Sequence, residues 1–276
     1  MTTPSPTSLP TSLPTAPMPD AAPRADSSEE PRRAWVEQVM GMPVSIHLRG
    51  LHADTDAGGR AVAAAFAELH EMDRIFSTYR DDSDLMRLRR EEVGVGQVSP
   101  LVEEALRLGE RAERETLGAF TTLLPTDGGE LAFDPTGLVK GWAVDRAAAA
   151  LTDLPGTSAC LNAGGDLRIV AAPDLPLEGV GSIAWRVGVE DPRDRSQVAH
   201  TVTLARGAVA TSGTAARGAH LYDPSSGEMV GRSGSVTVVG PELLWADIWA
   251  TALFVGGART AEAFTDAAPD YRATVL

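Results

Sequence analysis

Asp134-Pro-Thr-Gly-Leu-Val-Lys140-Gly-Trp-Ala-Val-Asp145 leads towards Ser158-Ala-Cys-Leu-Asn-Ala-Gly-Gly-Asp166-Leu-Arg-Ile-Val-Ala171. The first stretch opens an alanine-rich helix expected over residues 140–154, just after Gly137. The second is two short apolar strands, residues 160–161 and 167–171, around Asn162-Ala-Gly-Gly-Asp166. A helix that gives way to a hairpin, and not to a regular βαβ repeat, points to an α+β fold. Lys140 is also the only lysine of the chain; the rest of the 24 Lys and Arg residues are arginine. Lysine is a compact, strongly hydrated charge on a flexible stem, whereas arginine is a wide planar fork, so the two are not interchangeable in a tight site. A compact charge suits a phosphate oxygen or a crowded carboxylate cluster, although a lysine-poor composition could also leave one by chance.

Outward from that core, residues 35–48 alternate as a first strand broken at Met40-Gly-Met-Pro43. Residues 53–79 carry Val62, Phe66, Leu69 and Met72 at helical spacing. Ser99-Pro100 starts a second helix to about Glu115, with proline where its missing N–H costs nothing. Further strands are expected at residues 185–189, 201–204, 208–210 and 236–239. A fourth helix covers residues 243–255 and ends at Gly256-Gly257; a short helix from Thr260 and a strand over 272–276 close the chain.

Residues 1–33 hold eight of the 19 prolines among Ser, Thr and Ala, a composition unable to bury enough apolar surface to offset ordering entropy. They are expected to form a disordered tail, with one domain over residues 34–276. The tail has neither the basic nor the apolar region of a secretory signal, no cysteine near the start to carry a lipid, and no run long enough to span a bilayer. A cytoplasmic protein without a membrane anchor is the resulting expectation. The net charge of −14 argues against non-specific nucleic-acid binding, so any anionic ligand must be held locally by a metal, backbone N–H groups or a few placed cations. Cys160 stands alone, so neither an intrachain disulfide nor a thiolate cluster is available; on a buried strand it reads as a small hydrophobe.

Three segments could carry chemistry. Asp134 to Asp145 combines close-approach glycines, a helix N-terminus and Lys140, a device for holding phosphate; it also fits an ordinary helix start with an Asp near its cap. Asn162-Ala-Gly-Gly-Asp166 fits a tight turn and is no dinucleotide fingerprint. Asp247 and Thr251, four apart on an otherwise apolar helix, share one face and offer hard oxygen donors suited to Mg²⁺. The same pair also fits a Thr251 hydroxyl bonded back to the Asp247 carbonyl with the carboxylate in solvent. His220, between the Ala210-Thr-Ser-Gly213 segment and the turn at Asp223-Pro-Ser-Ser-Gly227, could accept a proton at neutral pH or be a plain surface histidine.

Taken in order, seven pieces resemble the ApbE family of flavin transferases, which move FMN from FAD onto a protein threonine or serine. They are Met40-Gly-Met-Pro-Val-Ser45, Phe76-Ser-Thr-Tyr79 with Asp82-Ser-Asp-Leu85, Asp134 to Asp145, Asn162 to Asp166, Ala210 to Gly213, His220-Leu-Tyr-Asp-Pro224, and Ala246-Asp-Ile-Trp-Ala-Thr251-Ala-Leu-Phe-Val-Gly256. The resemblance implies mixed and antiparallel sheets flanked by helices, with a flavin site between the two halves. It implies Mg²⁺ held by Asp247 and Thr251 with backbone oxygens of Gly137 and Ala250. FAD would be the substrate, contacted by Met40, Tyr79, Ala119, Phe120, Thr121, Asp134, Lys140 and His220. Lys140 and His220 would be catalytic, and the partner an acceptor flavoprotein with a target Thr or Ser. Gly118-Ala-Phe-Thr121 carries threonine where the family usually has aspartate, and runs quickly into Asp134. The same residues could instead serve a FAD pyrophosphatase or a non-catalytic FAD-binding protein.

Overall fold

Met40 and Gly41 both have positive φ, 52° and 71°, which makes a two-residue turn whose twist matches that of the strands it joins. What the sequence suggested as one broken strand is therefore a hairpin, β1 (Arg32–Val39) and β2 (Met42–Gly50), closed at Val39 opposite Met42. A non-glycine residue rarely occupies this region, so Met40 does not signal a turn by its identity. The computed structural model describes residues 30–126, 128–214 and 221–276.

Along the chain follow α1 (Asp56–Phe76), α2 (Asp84–Arg89), α3 (Pro100–Glu115), β3 (Leu123–Pro125), β4 (Leu131–Phe133) and α4 (Thr136–Ala148). Then come β5 (Thr157–Ala163), β6 (Asp166–Ala171), β7 (Trp185–Asp191), β8 (Asp194–Leu204) and β9 (Gly207–Gly213). The chain ends with β10 (Tyr222–Asp223), β11 (Glu228–Met229), β12 (Ser235–Gly240), α5 (Leu243–Ala267) and β13 (Arg272–Val275). The fold is α+β, as the helix-to-hairpin reading indicated. Helix α2 and the small hairpins β3–β4 and β10–β11 were not expected; they have six residues or fewer, too short for periodicity to register. Strand β1 begins at Arg32, and the Pro31 carbonyl accepts from Gly50 N–H at 2.9 Å.

Seven strands form one sheet in the order β1-β2-β5-β6-β9-β12-β13, with each neighbouring pair antiparallel. Successive side chains of a strand point to opposite faces, and here both faces are covered. Val44, Ile46, Leu48, Ala159, Leu161, Val236 and Val238 pack with α1, α4 and α5 on one side. Cys160, Ile169 and Val209 face the β7–β8 hairpin through Trp185, Val187 and Val202 on the other.

Helices α1 and α3 each start on a capping side chain. The Thr55 side chain accepts from Gly58 N–H, and Ser99 caps α3 ahead of Pro100. Helix α5 lacks a capping side chain of its own. Asp145 of α4 supplies it, accepting from Leu243 N–H at 3.0 Å and Leu244 N–H at 2.8 Å. Gly141 allows the approach: a Cβ there would lie 2.9 Å from the Leu243 carbonyl oxygen. At Gly257 the backbone turns to φ 64°, ψ −139°, which breaks α5 where the paired glycines predicted an end.

Candidate active site

Lys140 projects from α4 into the junction of α4, α5 and the adjoining ends of β6 and β9. There its Nζ pairs with Oδ2 of Asp166 and lies 3.3 Å from Oδ2 of Asp247. The two carboxylates come from the first residue of β6 and the second turn of α5, so three elements meet on one ammonium. Asp166 and Asp247 are almost fully buried, their side chains each 5% exposed against 20% for Lys140. Burial works against the Lys140 charge, but Asp247 and Asp166 outweigh it and hold the ammonium well above the usual lysine range. Asp166 is fixed a second way, accepting from Thr211 N–H of β9 at 2.9 Å.

The Gly-Gly turn that reads as bland in the sequence makes this placement possible. Gly164 and Gly165 take φ of 63° and 104°, and the Asn162 side chain accepts from Gly165 N–H at 2.9 Å. The turn aims Asp166 into the site, a role its position beside two glycines did not reveal. Ser212 was also missed: its Oγ lies 2.8 Å from Thr251 Oγ1, so the Thr251 hydroxyl is engaged from the sheet. Asp247 is 4% exposed and does not face solvent.

Among the described residues, two buried carboxylates converge on this one ammonium. Among the described residues no group of three or more His, Cys, Asp or Glu side chains is arranged to hold a metal. The donors here are one buried carboxylate and one hydroxyl a helical turn apart. That set fits Mg²⁺, which keeps several waters and takes one or two carboxylates together with substrate phosphate, and it does not fit zinc.

Two of the expected nucleotide contacts, Phe120 and Asp134, lie at the start of α4. Phe120 is buried, and its ring would be 3.5 Å from a Cβ on Gly137. Ala119 packs against the middle of α5 at Gly256, and Thr121 Oγ1 accepts from Leu123 N–H. The Asp134 carboxylate accepts from Thr136 N–H at 3.0 Å and pairs with Arg89 of α2 at 2.9 Å, a partner the sequence did not disclose. Met40 is half-buried in the β1–β2 turn, and Tyr79 is 92% exposed on the segment after α1. That segment is braced by Ser83 Oγ donating to the Ser77 carbonyl at 2.7 Å. His220 lies outside the described residues.

A second cluster locks the same three elements. Asp145 of α4, besides capping α5, pairs with Arg168 of β6 at 2.7 Å, and Arg168 stands two residues beyond Asp166. The spacing between Lys140, Asp166 and Asp247 is thus set by a clamp next to it.

The family model described as the ApbE family matches residues 40–125 and 121–275. The chain belongs to the ApbE family. A FAD:protein FMN transferase of Vibrio cholerae is 28% identical over 253 residues, covering 72% of this chain and 74% of that protein. One of Salmonella typhimurium is 25% identical over 295 residues, covering 88% and 84%. The ApbE protein of Thermotoga maritima shares the fold with a TM-score of 0.70 at 22% identity, over 89% of this chain and 94% of that one. Among the described residues of this ApbE-family chain, no helix is long and apolar enough to cross a membrane.

Proposed function

We propose that the chain is a Mg²⁺-dependent FAD:protein FMN transferase, which attaches FMN to a threonine or serine of an acceptor flavoprotein and releases AMP. Family membership and the names of its relatives support the reaction class. The observation that carries the site assignment is the convergence of Lys140, Asp166 and Asp247 beside Thr251, a buried oxygen-donor cluster at the junction of α4, α5 and the sheet.

Asp247 and Thr251 would hold the ion, joined by the carbonyl oxygens of Gly137 and Ala250. Bound there, Mg²⁺ supplies Lewis-acid stabilisation of charge on the phosphoryl oxygens. Lys140 keeps two buried carboxylates from repelling each other and holds Asp247 in place. Its charge also lies close enough to favour the negative charge that gathers on the diphosphate. Met40, Tyr79, Ala119, Phe120, Thr121 and Asp134 bind and orient FAD. His220 takes the proton of the acceptor hydroxyl. The freed oxygen forms a bond to the FMN phosphorus, the bond from that phosphorus to the bridging oxygen breaks, and AMP leaves with the electron pair.

Incubation of the chain with FAD and Mg²⁺, with and without an acceptor flavoprotein, followed by chromatography of the flavin, tests this reading. Flavin fluorescence that stays with the denatured acceptor is the expected result. Free FMN formed equally in both samples would make the chain a hydrolase, and intact FAD in both would make it a binding protein.

A further inference from the structure

Arg232, on the segment between β11 and β12, lies over the ring of Phe254 with its guanidinium carbon 4.9 Å from the ring centre. Its Nε and Nη2 are buried and find no hydrogen-bond partner among the described residues. A buried donor left unmade costs its desolvation, and more when it is charged, so two on one guanidinium call for an explanation. Burial pulls the Arg232 pKa below the ordinary arginine value, and the Asp223 carboxylate, acting through space, offsets only part of that. The segment is held in place, since Thr214 Oγ1 donates to the Arg232 carbonyl at 2.8 Å.

The position of this guanidinium suggests what it lacks. Phe254 stands three residues after Thr251 and seven after Asp247 on α5, so the three share one face of the helix. Thr214 in turn stands two residues past Ser212, whose hydroxyl meets that of Thr251. Arg232 therefore sits along the same stripe as the Asp247–Thr251 pair, a cation fixed over an aromatic ring with two donors that find no partner among the described residues. A planar fork of this kind matches two oxygens of one anion.

We propose that Arg232 is a phosphate-binding residue of this site, taking oxygens of the FAD diphosphate and keeping hold of the phosphate of AMP after transfer. The proposal rests on the reading that the site accepts FAD. It adds a second cation beside Lys140, whose ammonium is taken up by Asp166 and Asp247.

The test uses the full chain and its Arg232→Gln and Arg232→Lys variants, titrated with FAD, AMP and riboflavin and followed by thermal melting. Arg232→Gln should weaken FAD and AMP about ten- to hundredfold, the range for hydrogen bonds to a charged group. Riboflavin, which has no phosphate, should bind the variant as it binds the wild type. The melting temperature should hold or rise, because the replacement relieves buried unmade donors. Arg232→Lys should recover part of the loss, as a charge without the fork. Unchanged FAD and AMP affinity in Arg232→Gln would overturn the proposal, and so would an equal loss for riboflavin, which would mark a packing role. Unchanged FAD affinity with a raised KM for the acceptor protein alone would assign the guanidinium to an acceptor carboxylate and also overturn it. A wild-type chain that binds FAD without transferring FMN would sink the proposed reaction while leaving the Arg232 comparison readable; one that binds no nucleotide would overturn both.

Discussion

Lys140 holds two buried carboxylates with one small ammonium, and its size matters as much as its charge. A guanidinium at this position keeps the charge but must spread its fork between Asp166 and Asp247, which approach Nζ from two different elements. Lys140→Arg should therefore lower the transfer rate by about 10²–10³-fold, the scale of losing one positioned electrostatic group. Steady-state FMN transfer measures this, and full activity in the variant would return the lone lysine to an accident of composition. Asp247→Ala should abolish transfer without recovery at raised Mg²⁺, because a charged ligand is gone and the ammonium is left facing Asp166 alone. A variant that regains wild-type rate on added Mg²⁺ would place the ion elsewhere. The lysine and the Asp247–Thr251 pair were legible in the sequence, one by rarity and the other by helical spacing. Asp166 was not: it lies 26 residues from Lys140 and follows two glycines, so it reads as part of a turn until the β5–β6 hairpin brings it round.

Two glycines of α4 separate packing from chemistry at the scale of elements. A Cβ on Gly141 would meet the Leu243 carbonyl oxygen at 2.9 Å and Leu244 Cα at 3.0 Å, so the backbones of α4 and α5 would have to part. Gly141→Ala should cost about 1–3 kcal/mol and lower the melting temperature by several degrees. At Gly137 the nearest atoms are Phe120 ring carbons at 3.5 Å, an ordinary contact. Gly137→Ala should therefore fold at least as well, gaining up to about 1 kcal/mol of helix propensity. Calorimetry of the two variants checks both, and equal melting temperatures would contradict the packing argument. Long periodic elements such as α1 and α3 were legible, as was the break of α5 at Gly256-Gly257. The β1–β2 turn was not, because methionine in the left-handed region carries no signal of it. Neither was the capping of α5 by Asp145, a contact between residues about a hundred positions apart.

Both faces of the large sheet are covered, and that governs the single thiol. Cys160 lies under the β7–β8 hairpin, and burial pushes its pKa up to about 12, with Arg49 pulling slightly the other way. An unfolded thiol ionises near 8.5. The folded value is the higher one, so the contribution of Cys160 to stability is complete below about pH 8.5 and is lost as the pH rises towards 12. In the native chain at pH 8 the thiol should not react with a disulfide reagent, and one equivalent should appear on unfolding in guanidinium chloride. Prompt reaction in the native chain would mean that the hairpin does not cover β5. The proline-rich start makes a separate prediction from composition. Removal of residues 1–29 should leave FAD binding and melting temperature unchanged, whereas a cut after residue 33 would remove the first two residues of β1. Comparative melts of the two truncations check this.

The most direct test of the account is flavin fluorescence on a denatured acceptor flavoprotein after incubation with FAD and Mg²⁺, with the wild type, Asp247→Ala and Lys140→Arg measured side by side. Covalent flavin is expected from the wild type and should disappear when Mg²⁺ is chelated, with none above background from Asp247→Ala and only a trace from Lys140→Arg. Labelling by Asp247→Ala at the wild-type rate would contradict it.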